Sequence, residues 1–347
     1  MSAFHDWATR ALHSLDPEIA HKLTIAGLQL GLGPRDRTRD HDAILRTTIG
    51  GMFVPNCVGL AAGFDKDAQV PDAMLAAGFG FVECGTVTPK PQAGNERPRL
   101  FRLTEDKAVI NRMGFNNQGL EAFAGRLESR ERRGVVGANI GANKDSEDRI
   151  GDYVEGLRRL WGLADYFTVN ISSPNTPGLR ALQTKQALEE LLGRLSEARA
   201  HLAGNVPVFL KVAPDLEDGE IETVAAAVPR FGLDGIIVSN TTVGRPVLAS
   251  AHRGQAGGLS GAPLMSISTE VLRRFRAAAP SGFTLIGAGG IASGSDAYAK
   301  IRAGASAIQL YSGLVFEGPG LIRRIKRELA ARLKSDGFSS VTDAVGA

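Results

Sequence analysis

The chain has 347 residues, 43% of them hydrophobic and 22% charged, a globular balance that excludes wholesale disorder. Its 40 basic and 37 acidic residues leave a net charge of +3, too even for electrostatics alone to suggest a nucleic-acid binder. The two cysteines, Cys57 and Cys84, exclude a disulfide framework and zinc-type spacing, and no apolar run is long enough for a membrane-spanning helix. Glycine is in excess at 42 residues, which points to tight turns and close backbone approaches.

Phe4, Trp7, Ala8, Ala11, Leu12 and Leu15 form one helical stripe over residues 4–15. Asp16-Pro17-Glu18 then offers an N-cap, a first-turn proline and a first-turn acid. A second helix is expected from about Pro17 to Leu30, with Ile19, Leu23, Ala26 and Leu30 on one side, until Gly31-Leu32-Gly33-Pro34 stops it. Residues 1–45 thus read as an amphipathic helical hairpin ahead of a second unit over 46–340. His5, His13, His21 and His41 crowd this region, but across a helix break, and no metal site is expected.

Eight β-rich runs follow: Val58–Ala62, Phe81–Val87, Val135–Ile140, Tyr166–Ile171, Pro207–Val212, Gly235–Val238, Thr284–Gly287 and Ala307–Leu310. Most are apolar throughout, as parallel strands covered on both faces are. Helical segments such as Lys185–His201, Asp218–Phe231, Ser268–Ala278 and Ser295–Ala303 alternate with them. The predicted fold is an α/β (β/α)8 TIM barrel, since no glycine fingerprint of a dinucleotide-binding sheet follows the first strand. Two connections are long. Residues 89–134 hold an expected hairpin, Arg99–Leu103 with Ala108–Asn111, and residues 241–267 are rich in Gly, Ser and Pro. The basic cluster Arg323, Arg324, Lys326 and Arg327 reads as a solvated helix face.

Barrel chemistry sits at the C-terminal ends of the strands, and those ends here are all polar or glycine-rich. They carry Lys66, Thr86, Asn139, Asn170, Lys211, Ser239-Asn240-Thr241, Gly289-Gly290 and Tyr311-Ser312. The glycine turns after the last two strands predict an anion nest suited to phosphate. Lys211 lies inside a buried run, where an ammonium needs an anionic neighbour; a Schiff base, charge stabilisation on a ligand, or a structural ion pair would each account for it. The stretch Asn170-Ile-Ser-Ser-Pro-Asn175-Thr-Pro-Gly178 is a rigid, uncharged, amide- and hydroxyl-rich loop. Asn111-Arg112-Met113-Gly114-Phe115-Asn116-Asn117 is a second amide cluster, suited to imide and carbonyl edges. Cys84 reads as a buried core thiol rather than a nucleophile.

With these residues in view, the sequence resembles the dihydroorotate dehydrogenases, and within them the membrane-associated, quinone-linked class 2. Gly59–Lys66, Asn111–Phe115, Asn139-Ile-Gly with Asn143-Lys144, Asn170–Arg180, Leu210–Pro214, Ser239–Thr242, Gly257–Gly261 and Tyr311–Gly313 carry the resemblance in family order. It implies an FMN enzyme oxidising (S)-dihydroorotate to orotate in pyrimidine synthesis, with a membrane quinone as final acceptor. The flavin would be lined by Ala61, Ala62, Gly63, Phe64, Asp65, Lys66, Thr86, Asn139, Asn170, Lys211, Ser239, Gly261, Gly290, Tyr311 and Ser312. Substrate would be held by Lys66, Asn111, Arg112, Met113, Gly114, Phe115, Asn170, Asn175, Asn240 and Thr241. Ser173 would be the catalytic base, where class 1 members carry cysteine, and Lys211 would stabilise reduced flavin. The N-terminal hairpin would rest on the cytoplasmic face of a bacterial inner membrane and admit quinone past His21, Arg102 and Tyr311, in a monomer. Two other readings of the residues are a Schiff-base aldolase using Lys211 and a non-catalytic membrane-peripheral scaffold. Within the family, a soluble class 1 enzyme is disfavoured by Ser173 and the hairpin.

Overall fold

In a computed structural model, residues 12–36 and 43–347 are described. Most of the helix expected over residues 4–15, together with His5 and His41, lies outside the described residues. The second expected helix is present as α1 (Pro17–Gln29), one residue shorter than anticipated. It starts where the Asp16 carboxylate accepts the Glu18 and Ile19 N–H groups at 3.0 Å each, so the cap fixes the point where the chain turns.

Eight parallel strands close into a barrel in the order β3 (Val58–Leu60), β4 (Phe81–Val87), β7 (Val135–Ile140), β8 (Tyr166–Asn170), β9 (Val208–Val212), β10 (Gly235–Val238), β12 (Thr284–Ala288), β13 (Ala307–Leu310), and back to β3. Each expected run thus forms a barrel strand. Between and after them run α2 (Pro71–Ala76), α3 (Leu120–Ser129), α4 (Arg149–Leu160), α5 (Lys185–Ala200), α6 (Asp218–Arg230), α7 (Met265–Ala278), α8 (Gly294–Arg302), α9 (Ser312–Glu317) and α10 (Gly320–Ser335).

The lower barrel is filled by aromatic rings. Tyr166 packs edge-on against Phe81 and Phe209, with centroids 6.3 and 5.6 Å apart. Two glycines make room for them: a Cβ on Gly59 would lie 2.3 Å from the Phe81 ring, and one on Gly137 2.2 Å from Tyr166. The hairpin β1 (Thr47–Ile49) and β2 (Met52–Val54) covers the N-terminal end, its Gly50 N–H reaching Thr284 Oγ1 at 3.2 Å. That end is therefore capped without the N-terminal extension.

At the opposite rim, β5 (Leu100–Leu103) pairs with β6 (Ala108–Asn111), as the hairpin pattern predicts. A third antiparallel strand joins them: β11 (Gly258–Gly261), from the second long connection, pairs with β6. Its last glycine permits the approach, since a Cβ on Gly261 would meet the Lys107 carbonyl oxygen at 2.3 Å and the Ala108 Cα at 2.7 Å. One surface expectation is corrected on α10. Arg323 and Arg327 face solvent, but Lys326 is 7% exposed and its ammonium meets Asp36 Oδ2 at 2.6 Å. The carboxylate arrives from the segment after α1, a contact that periodicity on α10 does not reveal.

Candidate active site

A single cavity of about 530 Å³ opens at the C-terminal rim of the barrel and continues beneath α1. Its wall brings together Lys66, Asn111, Met113, Gly114, Phe115, Asn170, Ser173, Asn175, Asn240 and Thr241. It also gathers Ala61, Ala62, Gly63, Phe64, Thr86, Lys211, Ser239, Gly261, Gly290, Tyr311 and Ser312, and at its outer reach His21 and Arg102.

Three expected site residues lie off this wall. Asp65 is turned into the protein, its carboxylate accepting the Gln69 and Val70 N–H groups at 2.8 and 2.7 Å. Burial pushes that carboxyl up against these bonds, and the fully buried Cys84 thiol donates to it at 3.7 Å. Arg112 points outward over the Phe101 ring, 4.6 Å from its centroid, and donates to Gln255. Asn139 lies one layer down, beneath Thr86. For Arg112 this follows from strand geometry, since the neighbour of an inward-facing residue faces away, whereas Asn139 faces inward but sits deeper, bonded to Glu83.

Under the rim lies an acid that the sequence reading passed over. Glu83 on β4 is fully buried and accepts from Asn139 Nδ2 at 2.7 Å, Gln309 Nε2 at 2.7 Å, Thr168 Oγ1 at 3.0 Å and Tyr166 Oη at 3.3 Å. The Lys211 ammonium stands 3.9 Å from its Oε1. Burial pulls Lys211 down and Glu83 draws it back up, so the pair leaves a lysine with donors to spare facing the cavity. An ordered chain climbs from Glu83. Asn139 donates to it, Thr86 donates to Asn139 at 2.5 Å, and Asn170 donates to Thr86 at 2.9 Å. The signal for Glu83 was a charge inside the apolar run Phe81-Val82-Glu83-Cys84, the same kind of signal that marked Lys211.

One side of the cavity is built from amides. Asn240 donates to Ser172 Oγ at 3.0 Å and to Asn170 Oδ1 at 3.3 Å, and Asn175 donates to Asn111 Oδ1 at 3.2 Å. Asn95, also unanticipated, clamps this wall from behind through the Asn175 and Arg112 carbonyls, both at 3.1 Å. Ser173 Oγ accepts the Asn175 N–H at 3.3 Å, which leaves its own proton uncommitted to that bond. Thr176 and Asn116 place Oγ1 and Oδ1 in buried positions without a hydrogen-bond partner among the described residues. The Lys66 ammonium donates to the Gly63 carbonyl at 2.8 Å, and burial pulls it down to about 8.

Beneath α1 the wall becomes apolar, with Leu12, Leu23, Leu28, Leu32, Val109 and Leu314. A ladder of rings, His21, Phe64 and Tyr311, stands edge-on at 5.8 and 5.6 Å between the polar and apolar parts. Burial lowers His21 to about 3, so the neutral ring donates from Nε2 to the Phe64 carbonyl at 2.7 Å. Arg102 holds the His13 carbonyl at 2.8 Å while its buried Nε has no partner among the described residues. Together the wall offers cations, amide edges, a glycine turn and an apolar exit. No cluster of three metal-ligating side chains occurs among the described residues.

A sequence model of the dihydroorotate dehydrogenase family matches residues 44–333. A dihydroorotate dehydrogenase (quinone) of Rhodospirillum rubrum is 54% identical over 99% of this chain and 95% of its own length. One of Azorhizobium caulinodans is 55% identical over 95% of each. Among solved structures, a ligand-free dihydroorotate dehydrogenase of Eimeria tenella superimposes with a TM-score of 0.92 at 42% identity, covering 95% of this chain and 99% of that one. The same protein in complex with ferulenol gives a TM-score of 0.91 at 41% identity, covering 95% of each chain. With a family model over residues 44–333 and relatives more than half identical along nearly the whole chain, the chain belongs to the dihydroorotate dehydrogenase family.

Proposed function

We propose that this protein oxidises (S)-dihydroorotate to orotate, with FMN as hydride acceptor and a membrane quinone as final oxidant, in de novo pyrimidine synthesis. The observation that carries the reading is the convergence of Lys66, Ser173 and Lys211 on one cavity that runs on into an apolar passage beneath α1. The wall residues suit FMN: the Gly289-Gly290 turn for its phosphate, Lys211 and the buried, unpartnered Gln309 Oε1 for polar ring edges, and Thr86, Ser239 and Ser312 around them. When bound, FMN supplies a two-electron acceptor that no amino-acid side chain provides.

The remaining work falls to side chains. Lys66 pairs with the substrate carboxylate, and Asn111, Asn175 and Asn240 present donors and acceptors together to the ring's amide edges. Fixing the substrate in this way supplies several kcal/mol of the barrier by orientation. Oxidation removes a proton from C5 and a hydride from C6 to form the ring double bond. Ser173 Oγ takes the C5 proton. Because a serine hydroxyl is a weak base, its own proton must leave as the new one arrives. Thr176, in the same loop with a buried hydroxyl free of other partners among the described residues, is the group to pass it on.

The outer end suits an interfacial enzyme. No helix among the described residues is long and apolar enough to cross a membrane, yet Ile19, Leu23, Leu30 and Leu32 are each more than half exposed around α1. Such a surface suits a protein resting on lipid. The decisive experiment is an anaerobic titration: dihydroorotate bleaches the yellow of the purified protein and a quinone restores it. Ser173→Ala lowers the bleaching rate by about 100-fold or more, the usual worth of a general base. A colourless protein, or a spectrum that dihydroorotate leaves untouched, overturns the reading.

A further inference from the structure

Lys300, on α8 outside the barrel, takes no part in the chemistry above. It is nonetheless 0% exposed, and its ammonium donates to Ser268 Oγ on α7 at 2.6 Å, its one hydrogen bond among the described residues. Its stem passes under β12, where a Cβ on Gly287 would come within 3.3 Å of the Lys300 Cβ. A buried ammonium with one neutral partner is costly. Burial pulls it down to about 7, with Arg273 adding to the shift and Asp296 opposing it.

What the lysine touches leads back to the cavity. Ser268 Oγ lies 2.7 Å from the Leu264 carbonyl and 3.1 Å from the Gly289 carbonyl. A hydroxyl has one proton and two lone pairs, so accepting from Lys300 turns the proton toward the carbonyl side, where Met265 O also lies at 3.3 Å. In a trans peptide the C=O of one residue and the N–H of the next point in opposite directions. Drawing the Gly289 carbonyl back onto Ser268 therefore turns the Gly290 N–H the other way. Gly289 and Gly290 both line the cavity, and the Gly290 N–H meets no backbone acceptor among the described residues. Both glycines have left-handed backbones, at φ +101° and +81°, and a Cβ on Gly290 would strike Met265 at 2.4 Å. The turn is held open from behind.

We infer that Lys300 is a positioning residue for the phosphate of the bound flavin nucleotide: through Ser268 it locks the Gly289-Gly290 turn with its N–H groups free. The inference rests on the FMN reading above. The test separates phosphate recognition from packing by comparing two ligands that differ only in the phosphate. Full-length protein stripped of flavin is titrated with FMN and with riboflavin, following the quenching of flavin fluorescence. The unaltered protein prefers FMN strongly. Lys300→Met weakens FMN by about tenfold or more and leaves riboflavin within about twofold, as loss of one charge-assisted contact requires. Ser268→Ala shows the same selective loss, and the double variant adds little to either, because the two residues act as one unit. If Lys300→Met keeps the unaltered ratio, or weakens both ligands alike, the inference fails while the FMN reading stands. If the unaltered protein does not distinguish FMN from riboflavin, the FMN reading fails and takes the inference with it. Should Lys300→Met not fold, Ser268→Ala alone decides by the same ratio.

Discussion

Lys66 holds its charge against its surroundings, since burial brings it down to about 8 from an ordinary value of 10.5. In the role proposed for it Lys66 pairs with a carboxylate only when protonated, so affinity for orotate should be full below about pH 8 and fall up to tenfold per unit above it. Orotate titrations from about pH 6 to pH 10 should show that break, and Lys66→Met should flatten it at uniformly weaker binding. The same accounting explains which side chains were legible beforehand. Lys211 announced itself as a charge within an apolar run. Glu83 carried an identical mark, but its partners Asn139, Thr168, Lys211 and Gln309 come from four other strands, and only closure of the barrel brings them together. Arg112 was misplaced for a local reason. It follows Asn111, which faces the cavity, and alternation along an extended chain sends the next side chain outward.

At the level of elements, α1 is the part that the barrel does not need for closure. It is tied on through Glu18, whose carboxylate accepts from Arg99 Nη2 at 2.8 Å and Nε at 3.1 Å, with Arg97 at 2.9 Å. Burial pushes Glu18 up, but Arg99 and Arg97 outweigh it and hold the carboxyl below its usual range. Arg99 in turn binds the Ala93 and Asn95 carbonyls at 2.6 and 2.8 Å, beside the amide wall. Deleting the whole extension would strand this buried arginine, so surface substitution is the cleaner probe. Ile19 and Leu30 are 54% and 77% exposed and lie off the cavity wall. Ile19→Glu with Leu30→Glu should abolish sedimentation with lipid vesicles and lower turnover of a long-chain, vesicle-borne quinone about tenfold or more. Turnover of a short-chain, water-soluble quinone should be unchanged. Capping residues made α1 readable from sequence, whereas β11 was hidden. Its four residues, Gly-Leu-Ser-Gly, have almost no strand propensity and become a strand because β6 offers an edge.

For the molecule as a whole, the alternation of eight apolar runs with amphipathic helices pointed to parallel strands covered on both sides, and the missing glycine fingerprint after the first strand favoured the barrel over a doubly wound sheet. What the runs did not disclose is how the interior is filled, which depends on rings meeting glycines across neighbouring strands. Gly137→Ala forces a methyl into the Tyr166 ring and should cost about 1–3 kcal/mol in urea unfolding. Gly125→Ala, in α3 with open space around it, should instead gain about 0.5–1 kcal/mol. The leucine-lined passage under α1 has a consequence of its own. A nicotinamide dinucleotide would have to shed the water around its pyrophosphate to enter, while a prenylated ring would gain by leaving water for the same space. Selection of the oxidant thus begins as a matter of partition coefficients, settled at the threshold before any hydrogen bond is tried.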